Sequence, residues 1–267
     1  MQAMIFAAGK GTRLRPLTDN VPKALVTVGG QPLLRRLIEK LKGAGAERVV
    51  VNVHHHAPMI KAYLKTNANF GLDIRVSDET EELLDTGGGL RKAAALLMPG
   101  EPVLLHNVDI LSNIDLRRLY DTAAADRADA LLVVSSRPTT RYLLFDGGMR
   151  LAGWTNVTTG EVRSPYPGID PKLCRRYAFA GIHVVKPQVT ALMSTFPPKF
   201  GIMDFYIQTC RMACIKGVAV PNLRILDVGK QSSLVAAGAF LRSLEYDEQM
   251  MPHARNSSAE EGHNDRQ

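Results

Sequence analysis

Short apolar runs recur through the first half of the chain, at Met4–Phe6, Arg48–Val53, Asp73–Val76, Val103–His106 and Ala130–Ser135. Most are continuous Val/Ile/Leu segments, as expected of strands covered on both faces. Between them, helical patterns occupy Leu33–Lys42, Met59–Lys65, Leu90–Leu97 and Leu116–Ala125. This alternation predicts an α/β fold, a doubly wound and mainly parallel sheet flanked by helices. Ligands in such folds bind beyond the C-terminal ends of the strands. The turn after Phe6, Asn52, Ser77 and Asn107–Asp109 all fall there.

The pattern changes after about residue 136. Tyr142–Phe145 and Leu151–Trp154, joined through Asp146-Gly147-Gly148, predict a hairpin, and Ser164–Gly168 is a Pro/Gly interruption. A strand is expected at Tyr177–Val185, helices near Pro187–Thr195 and Met203–Lys216, and a strand at Leu223–Leu226 ending in Asp227-Val228-Gly229. A last helix, Ser232–Tyr246, precedes a polar tail without an apolar face, which predicts disorder over 247–267. The expected organisation is one domain over 1–246 with a hairpin region at about 137–176.

Composition narrows the function classes. A chain of 267 residues with 45% hydrophobic and 22% charged content is an ordinary globular protein. Its formal charge of +7 is not gathered into Lys/Arg runs with interleaved aromatics, so nucleic acid is not expected and anionic small substrates account for it. The N-terminus enters a strand at once, without a charged segment and long apolar stretch, and no apolar run reaches the roughly 18–20 residues of a membrane span. A soluble cytoplasmic protein follows as the expectation; oligomeric state leaves no trace. Cys174, Cys210 and Cys214 read as reduced thiols, the last two four apart on a predicted helix without a partner pair at zinc-like spacing.

The most informative segment is Ala7-Ala8-Gly9-Lys10-Gly11-Thr12-Arg13-Leu14-Arg15-Pro16-Leu17-Thr18, followed by Pro22-Lys23. A small-residue turn at a strand end lets backbone N–H groups approach an anion. Lys10, Arg13, Arg15 and Lys23 stand there against one acid, Asp19, which suits a polyphosphate. The alternative is a basic surface turn. A P-loop is excluded because no Gly-Lys-Ser/Thr occurs at its spacing, and a dinucleotide fingerprint because Leu14 stands where its third glycine belongs.

Asp109 and Asp227 each sit at the mouth of a predicted strand. Mg²⁺ takes one or two carboxylates plus phosphate oxygens and water, which two such aspartates satisfy; helix capping is the alternative for each. Leu84-Asp85-Thr86-Gly87-Gly88-Gly89, before a predicted helix, offers a second close backbone approach, or a helix N-terminus with glycine spacers. His54-His55-His56 reads as a solvated cluster at a helix start, and Trp154 and Tyr166 as packing residues.

Taken together, these segments resemble the sugar-1-phosphate nucleotidylyltransferases, the NDP-sugar pyrophosphorylases, which include mannose-1-phosphate guanylyltransferases and N-acetylmuramate-1-phosphate uridylyltransferases. The likeness rests on Ala7–Thr18 with Pro22-Lys23-Ala24-Leu25 and continues through Val51–His55, Leu84–Gly89, Asn107-Val108-Asp109, Phe179–Ile182 and Leu226–Gly229. It implies a Rossmann-like, GT-A-like sheet and a Mg²⁺-dependent reaction of a nucleoside triphosphate with a sugar 1-phosphate. A sugar-phosphate oxygen attacks the α-phosphorus in line and pyrophosphate leaves.

The same resemblance implies residue roles. Ala7, Ala8, Gly9, Gly11, Thr12, Asn52, Thr86, Gly87 and Gly88 would contact the nucleotide. Arg13 would hold the β- and γ-phosphates, and Lys23 would neutralise charge near the α-phosphate and the incoming phosphate. Gly181 and Lys230 would lie, with Lys23, on the sugar-phosphate side, and Asp109 and Asp227 would ligate Mg²⁺. Three departures stand out: Val108 replaces the family's usual glycine, Lys230 replaces the usual threonine, and no C-terminal β-helix is expected, as in the short members. Short members direct the substrate expectation to GTP with mannose 1-phosphate or UTP with N-acetylmuramate 1-phosphate. The alternatives are a cytidylyltransferase for phosphocholine or another alcohol phosphate, and a nucleotide-sugar-binding regulatory protein without catalysis.

Overall fold

The computed structural model describes residues 1–250, with side chains through 246. In chain order the main elements are β1 (Gln2–Phe6), β2 (Thr27–Val28), β3 (Gln31–Pro32), α1 (Leu33–Gly43), β4 (Arg48–Val53), α2 (Ala57–Thr66), β5 (Asp73–Asp78), α3 (Asp85–Ala93), β6 (Val103–Asn107), β7 (Ile110–Ser112), α4 (Leu116–Ala125) and β8 (Ala130–Ser135). There follow β9 (Arg141–Phe145), β10 (Leu151–Asn156), β11 (Val162–Arg163), β12 (Arg175–Val185), α5 (Pro187–Ala191), α6 (Ile202–Thr209), β13 (Ile215–Ala219), β14 (Ile225–Asp227) and α7 (Gln231–Met250).

The central sheet runs β13-β8-β12-β6-β1-β4-β5. β6, β1, β4 and β5 are mutually parallel, β13 is parallel to β8, and β12 is antiparallel to both its neighbours. The first residues of β12, Arg175–Tyr177, also pair with β9, which continues into the antiparallel β9-β10-β11 hairpin region. This is the doubly wound, mainly parallel sheet expected of the chain. No helix among the described residues is long and apolar enough to cross a membrane.

The continuous apolar runs have a direct physical cause. Successive strand residues point to opposite faces, and both faces here are buried. Ala3, Ile5, Val49, Val51 and Leu104 pack with α1, α2 and α4, through Leu34, Leu37, Ile38, Leu41, Ile60 and Leu119. Met4, Phe6, Val50 and Leu105 pack on the other side with Leu90 of α3 and with Phe205 and Tyr206 of α6. The apolar positions Leu33, Leu34, Leu37, Ile38 and Leu41 fall on one face of α1, as a helix of 3.6 residues per turn requires.

Two expectations in the second half need correction. The helix expected over Met203–Lys216 ends at Thr209, and Ile215–Ala219 is instead a strand pairing with β8. Asp129 draws the chain out of helical geometry: its carboxylate accepts from the Cys214 N–H (2.7 Å), and its own N–H donates to the Cys214 carbonyl (2.8 Å). Gly217 permits the strand because a Cβ there would lie 2.8 Å from the Phe145 ring. Cys210 and Cys214 therefore do not share a helix face; among the described residues all three cysteines are free thiols. The polar tail expected over 247–267 lies from residue 251 onward outside the described residues, and α7 extends to Met250.

Beneath the sheet ends lie two fully buried histidines. His183 is surrounded by the rings of Phe6, Phe179 and Tyr206, and neither of its nitrogens has a hydrogen-bond partner among the described residues. His106 directs Nδ1 to the Asn107 carbonyl (2.8 Å). Burial depresses both, His106 to about 4 and His183 to about 3. A histidine depressed in the folded state is protonated first in the unfolded chain. Stability should be full above the ordinary value near 6.5 and decline as pH falls towards the folded values, by about 1.4 kcal/mol per pH unit for each group. Urea unfolding between pH 7 and pH 4 should show this slope, and His183→Phe should flatten it. An unchanged slope in that variant would refute the assignment.

Candidate active site

The site begins with strand register. β1 lies between β4 and β6 so that Phe6 is opposite both Asn52 and Asn107. All three strands therefore end together, and the turn leaving β1 crosses their ends. Ala7 and Ala8 are buried, and both their N–H groups donate to Asn52 Oδ1, at 2.8 and 3.3 Å. Gly9 faces open space: a Cβ there would meet nothing within 4 Å. Gly11 is left-handed (φ 66°), and a Cβ would come within 2.9 Å of the Thr18 methyl. The Thr18 hydroxyl donates back to the Gly11 carbonyl at 2.8 Å, closing the turn.

The two aspartates are brought together by a second pairing. Beyond β6, the chain passes through Asp109 into β7, which pairs antiparallel with β14 and sets Asp227 opposite Ile110. The Val228 N–H donates to the Asp109 carbonyl at 2.8 Å. Lys23 then forms an ion pair with Asp109 Oδ2. Asp227 is exposed along the cleft, yet partial desolvation of its carboxylate and the neighbouring Asp109 raise it above its ordinary value, against the opposing pull of Lys23, Arg13 and Arg137. Asp109 is not a helix cap; Asp115 caps α4 by accepting from the Arg118 N–H at 2.9 Å.

Two clefts meet at this pair. The first, about 360 Å³, is lined by Phe6–Gly9, Lys23, Asn52, Asp85, Thr86 and Asn107–Asp109. The second, about 340 Å³, is lined by Arg13, Arg137, Asp227, Gly229, Lys230 and Ser233. Asp109 belongs to the first and Asp227 to the second, so the acids mark their border. The first cleft adjoins the small-residue turn Ala7–Gly9, and the second gathers Arg13, Arg137 and Lys230 with Asp227 beside the apolar Ile110, Ala180, Ile225 and Leu226.

The sequence-derived residues divide between these places. Ala7, Ala8, Gly9, Lys23, Asn52, Thr86 and Asp109 line the first cleft, and Arg13, Asp227 and Lys230 the second. Arg15 turns instead to Asp19 at 3.1 Å. Thr12 sits in the turn's 3-10 helix with Arg13. Gly181 (φ 76°) lies behind Asn107, with room for a Cβ only at 2.9 Å from its Nδ2. Gly87 and Gly88 are not in a loop before a helix: they are inside α3, buried, with Phe200 and Pro198 against their Cα atoms. Their N–H groups donate to the Phe200 carbonyl, and Thr86 Oγ1 accepts from the Ile202 N–H at 2.9 Å. These glycines let α3 pack against the chain entering α6. Val108 is buried and packs in the core while bordering the first cleft, and Asp109 beside it still lines that cleft.

Arg137, which lines the second cleft, and Glu79, which bonds to Asn52 behind the first, carry no motif that marks them in the sequence. The only trace of Arg137 is its place just beyond β8; its guanidinium donates to the Phe179 carbonyl at 3.3 Å. Glu79 follows β5 and is completely buried. The histidine cluster holds no metal geometry: His56 starts α2 with its Nε2 3.1 Å from the Asp19 carbonyl, and its ring lies against that of His55. Trp154 packs under Arg163, and the Tyr166 hydroxyl donates to the Cys210 carbonyl at 3.2 Å. No group of three or more His, Cys, Asp or Glu among the described residues forms a metal cage.

Residues 2–151 match the family described as nucleotidyl transferase. An N-acetylmuramate α-1-phosphate uridylyltransferase of Caulobacter vibrioides is 34% identical over 90% of this chain and 96% of its own length. A mannose-1-phosphate guanylyltransferase of Mycobacterium tuberculosis is 35% identical over 49% of this chain and 36% of its own. Among solved structures, a putative glucose-1-phosphate thymidylyltransferase of Bacillus anthracis shares the fold with a TM-score of 0.75 at 16% identity, covering 91% of this chain and 96% of that one. HddC of Yersinia pseudotuberculosis matches with a TM-score of 0.72 at 18% identity, over 90% of this chain and 99% of its own. Both likenesses fit the GT-A-like sheet. With a family match over more than half its length and a relative aligned along nearly the whole chain, the chain belongs to the nucleotidyl transferases and is an enzyme of the sugar-1-phosphate nucleotidylyltransferase class.

Proposed function

We propose that this enzyme condenses UTP with N-acetylmuramate 1-phosphate, giving the UDP-sugar and pyrophosphate, with Mg²⁺ as its metal. The reading of the reaction is carried by one observation, the Lys23–Asp109–Asp227 group at the meeting point of two clefts. The choice of substrates is supported by a uridylyltransferase relative that aligns along nearly its whole length, and by a second such relative, from Neisseria meningitidis, 40% identical over 47% of this chain.

In this reading the first cleft takes the nucleoside, whose approach is eased by Ala7, Ala8 and Gly9. Arg13, Arg137 and Lys230 hold phosphate oxygens in the second. Lys23, fixed by Asp109, neutralises charge where the sugar-phosphate oxygen forms its bond to the α-phosphorus and the bond to the departing pyrophosphate breaks. The residues present fit a divalent cation: Asp227, raised by partial desolvation and then by the Asp109 carboxylate beside it, would be relieved by a cation shared with Asp109. Asp109 and Asp227 would hold Mg²⁺, which supplies charge neutralisation on the phosphates. The protein's remaining contribution is positioning and preorganised charge, without a covalent intermediate.

Pyrophosphate release measured over each nucleoside triphosphate and a panel of sugar 1-phosphates should be greatest for the proposed pair, and should stop on chelation of the metal. A preference for GTP with mannose 1-phosphate would overturn the substrate assignment while leaving the reaction intact. Lys23→Ala and Asp109→Asn should each reduce kcat by about 10²-fold or more, the scale of a lost transition-state contact; near-normal turnover refutes the role assigned. Gly229 gives a separate test of Asp227 placement, since a Cβ there would lie 2.5 Å from its Oδ1 and 2.7 Å from an Arg13 nitrogen. Both neighbours are movable side-chain ends, so Gly229→Ala should melt near the wild-type temperature. Its kcat should nevertheless fall by about 10²-fold, as expected when reacting groups shift by an ångström.

A further inference from the structure

Behind the nucleotide turn lies a buried chain of hydrogen bonds that none of the roles above uses. Asn52 Oδ1 accepts from Ala7 and Ala8, and Asn52 Nδ2 donates to Glu79 Oε1 at 2.7 Å. Glu79 Oε2 accepts from the Leu84 N–H at 3.0 Å. Glu79 is fully buried, and its own N–H donates to the Val53 carbonyl at 2.7 Å, which holds the residue at the end of β5. Leu84 lies between Leu83 and Asp85, which line the first cleft together with Ala7 and Ala8. One carboxylate thus joins two segments that line the cleft, the turn after β1 through Asn52 and the chain entering α3 through Leu84.

We propose that Glu79 is the positioning residue of the nucleotide turn, an acceptor-only group that sets which way the Asn52 amide faces and thereby fixes the backbone of Ala7 and Ala8. An asparagine amide is nearly symmetric in shape, and nothing in Asn52 itself decides whether oxygen or nitrogen faces the turn. A carboxylate accepting on both oxygens offers no donor, so Asn52 must turn Nδ2 towards it. Oδ1 then faces the two N–H groups of the turn. The reverse orientation would set donor against donor at the turn and acceptor against acceptor at Glu79, leaving buried groups unpaired. Burial pushes Glu79 above its ordinary value, opposed by the Leu84 and Asn52 hydrogen bonds and by the positive field of Lys92.

The third glycine of α3 is an independent mark of the same arrangement. A Cβ on Gly89 would stand 2.7 Å from Glu79 Oε1 and 2.9 Å from Asn52 Nδ2. The helix backbone is laid directly on this hydrogen bond, so the pair is held from above as well as from its ends. The inference rests on the reading that the first cleft takes the nucleotide, and its test separates the two.

Binding of UTP, with GTP in parallel, should be measured by calorimetry in Mg²⁺ on the full chain, beside KM for each substrate, kcat and melting temperature. Glu79→Gln places an amide donor against Asn52 or Leu84 and should weaken UTP binding about tenfold or more, the loss of a charge-assisted hydrogen bond. KM for N-acetylmuramate 1-phosphate should stay within about twofold, since that substrate does not depend on the turn. Asn52→Asp alone sets two carboxylates against each other and should also lose binding. The double variant Asn52→Asp/Glu79→Gln reverses the polarity of the relay with every bond remade. Its carboxylate, now at position 52, accepts from the turn and from the new amide at position 79, whose oxygen accepts from the Leu84 N–H. It should bind UTP at least about fivefold more tightly than Glu79→Gln, a coupling of the size found between directly bonded side chains.

Unchanged UTP affinity in Glu79→Gln, equal losses for both substrates, or a double variant no better than the single one would overturn the inference alone. If Glu79→Gln does not fold, a folded double variant that binds UTP supports the relay, and an unfolded one overturns it. Wild-type protein that binds neither nucleotide would overturn the proposed function and this inference with it.

Discussion

The constraint on which the rest depends is the register of β1 between β4 and β6. Parallel pairing on both sides aligns Phe6, Asn52 and Asn107 across three strands. Because all three strands stop at one level, the turn after β1 must cross their ends. There its N–H groups find the Asn52 side chain, not another strand. A slip of one residue would move each apolar side chain to the opposite face and Asn52 away from the turn. The buried faces on both sides of the sheet hold that register, so the hydrophobic core and the cleft are determined by the same pairing.

From this alignment the chemistry is assembled by smaller contacts. The short β7–β14 pair, anchored by the buried Ile110 and Leu111, brings Asp227 beside Asp109. Lys23 reaches the same place from the turn between β1 and β2. Two carboxylates and one lysine thus stand together at the border of the two clefts, the arrangement on which the proposed function rests. Elsewhere the carboxylates are settled locally, as with Asp115 at its helix cap and Asp126 paired to Lys216. Under the proposed function, Asp109 and Asp227 are instead the carboxylates that face the bound metal and phosphates.

The glycines show why position in a motif is not the same as contact with a ligand. Gly9 opens onto the first cleft, whereas Gly87, Gly88 and Gly89 are each filled by protein: Phe200, Pro198 and the Glu79–Asn52 bond. Three adjacent glycines suggest a loop because of their conformational freedom. In the folded chain they serve close packing of a helix, and their freedom is suppressed by burial. The wall of the cleft owes its shape to them without exposing them.

The sequence by itself determined the strand and helix alternation, since burial on both faces leaves continuous apolar runs that periodicity reads directly. It also determined the basic turn, Lys23 and the two strand-end aspartates, because polar residues at strand ends are legible one by one. It missed β13, whose Ile215–Ala219 carries a glycine and a lysine and is a strand only because β8 and Asp129 receive it. Arg137 and Glu79 were equally silent: a lone arginine or glutamate acquires meaning from what stands opposite. Tertiary structure alone decided that Asp109 meets Asp227, that two clefts share their border, and that a buried carboxylate stands behind the nucleotide turn. These are pairings between segments distant in the chain, and no local pattern of residues encodes which of them will touch.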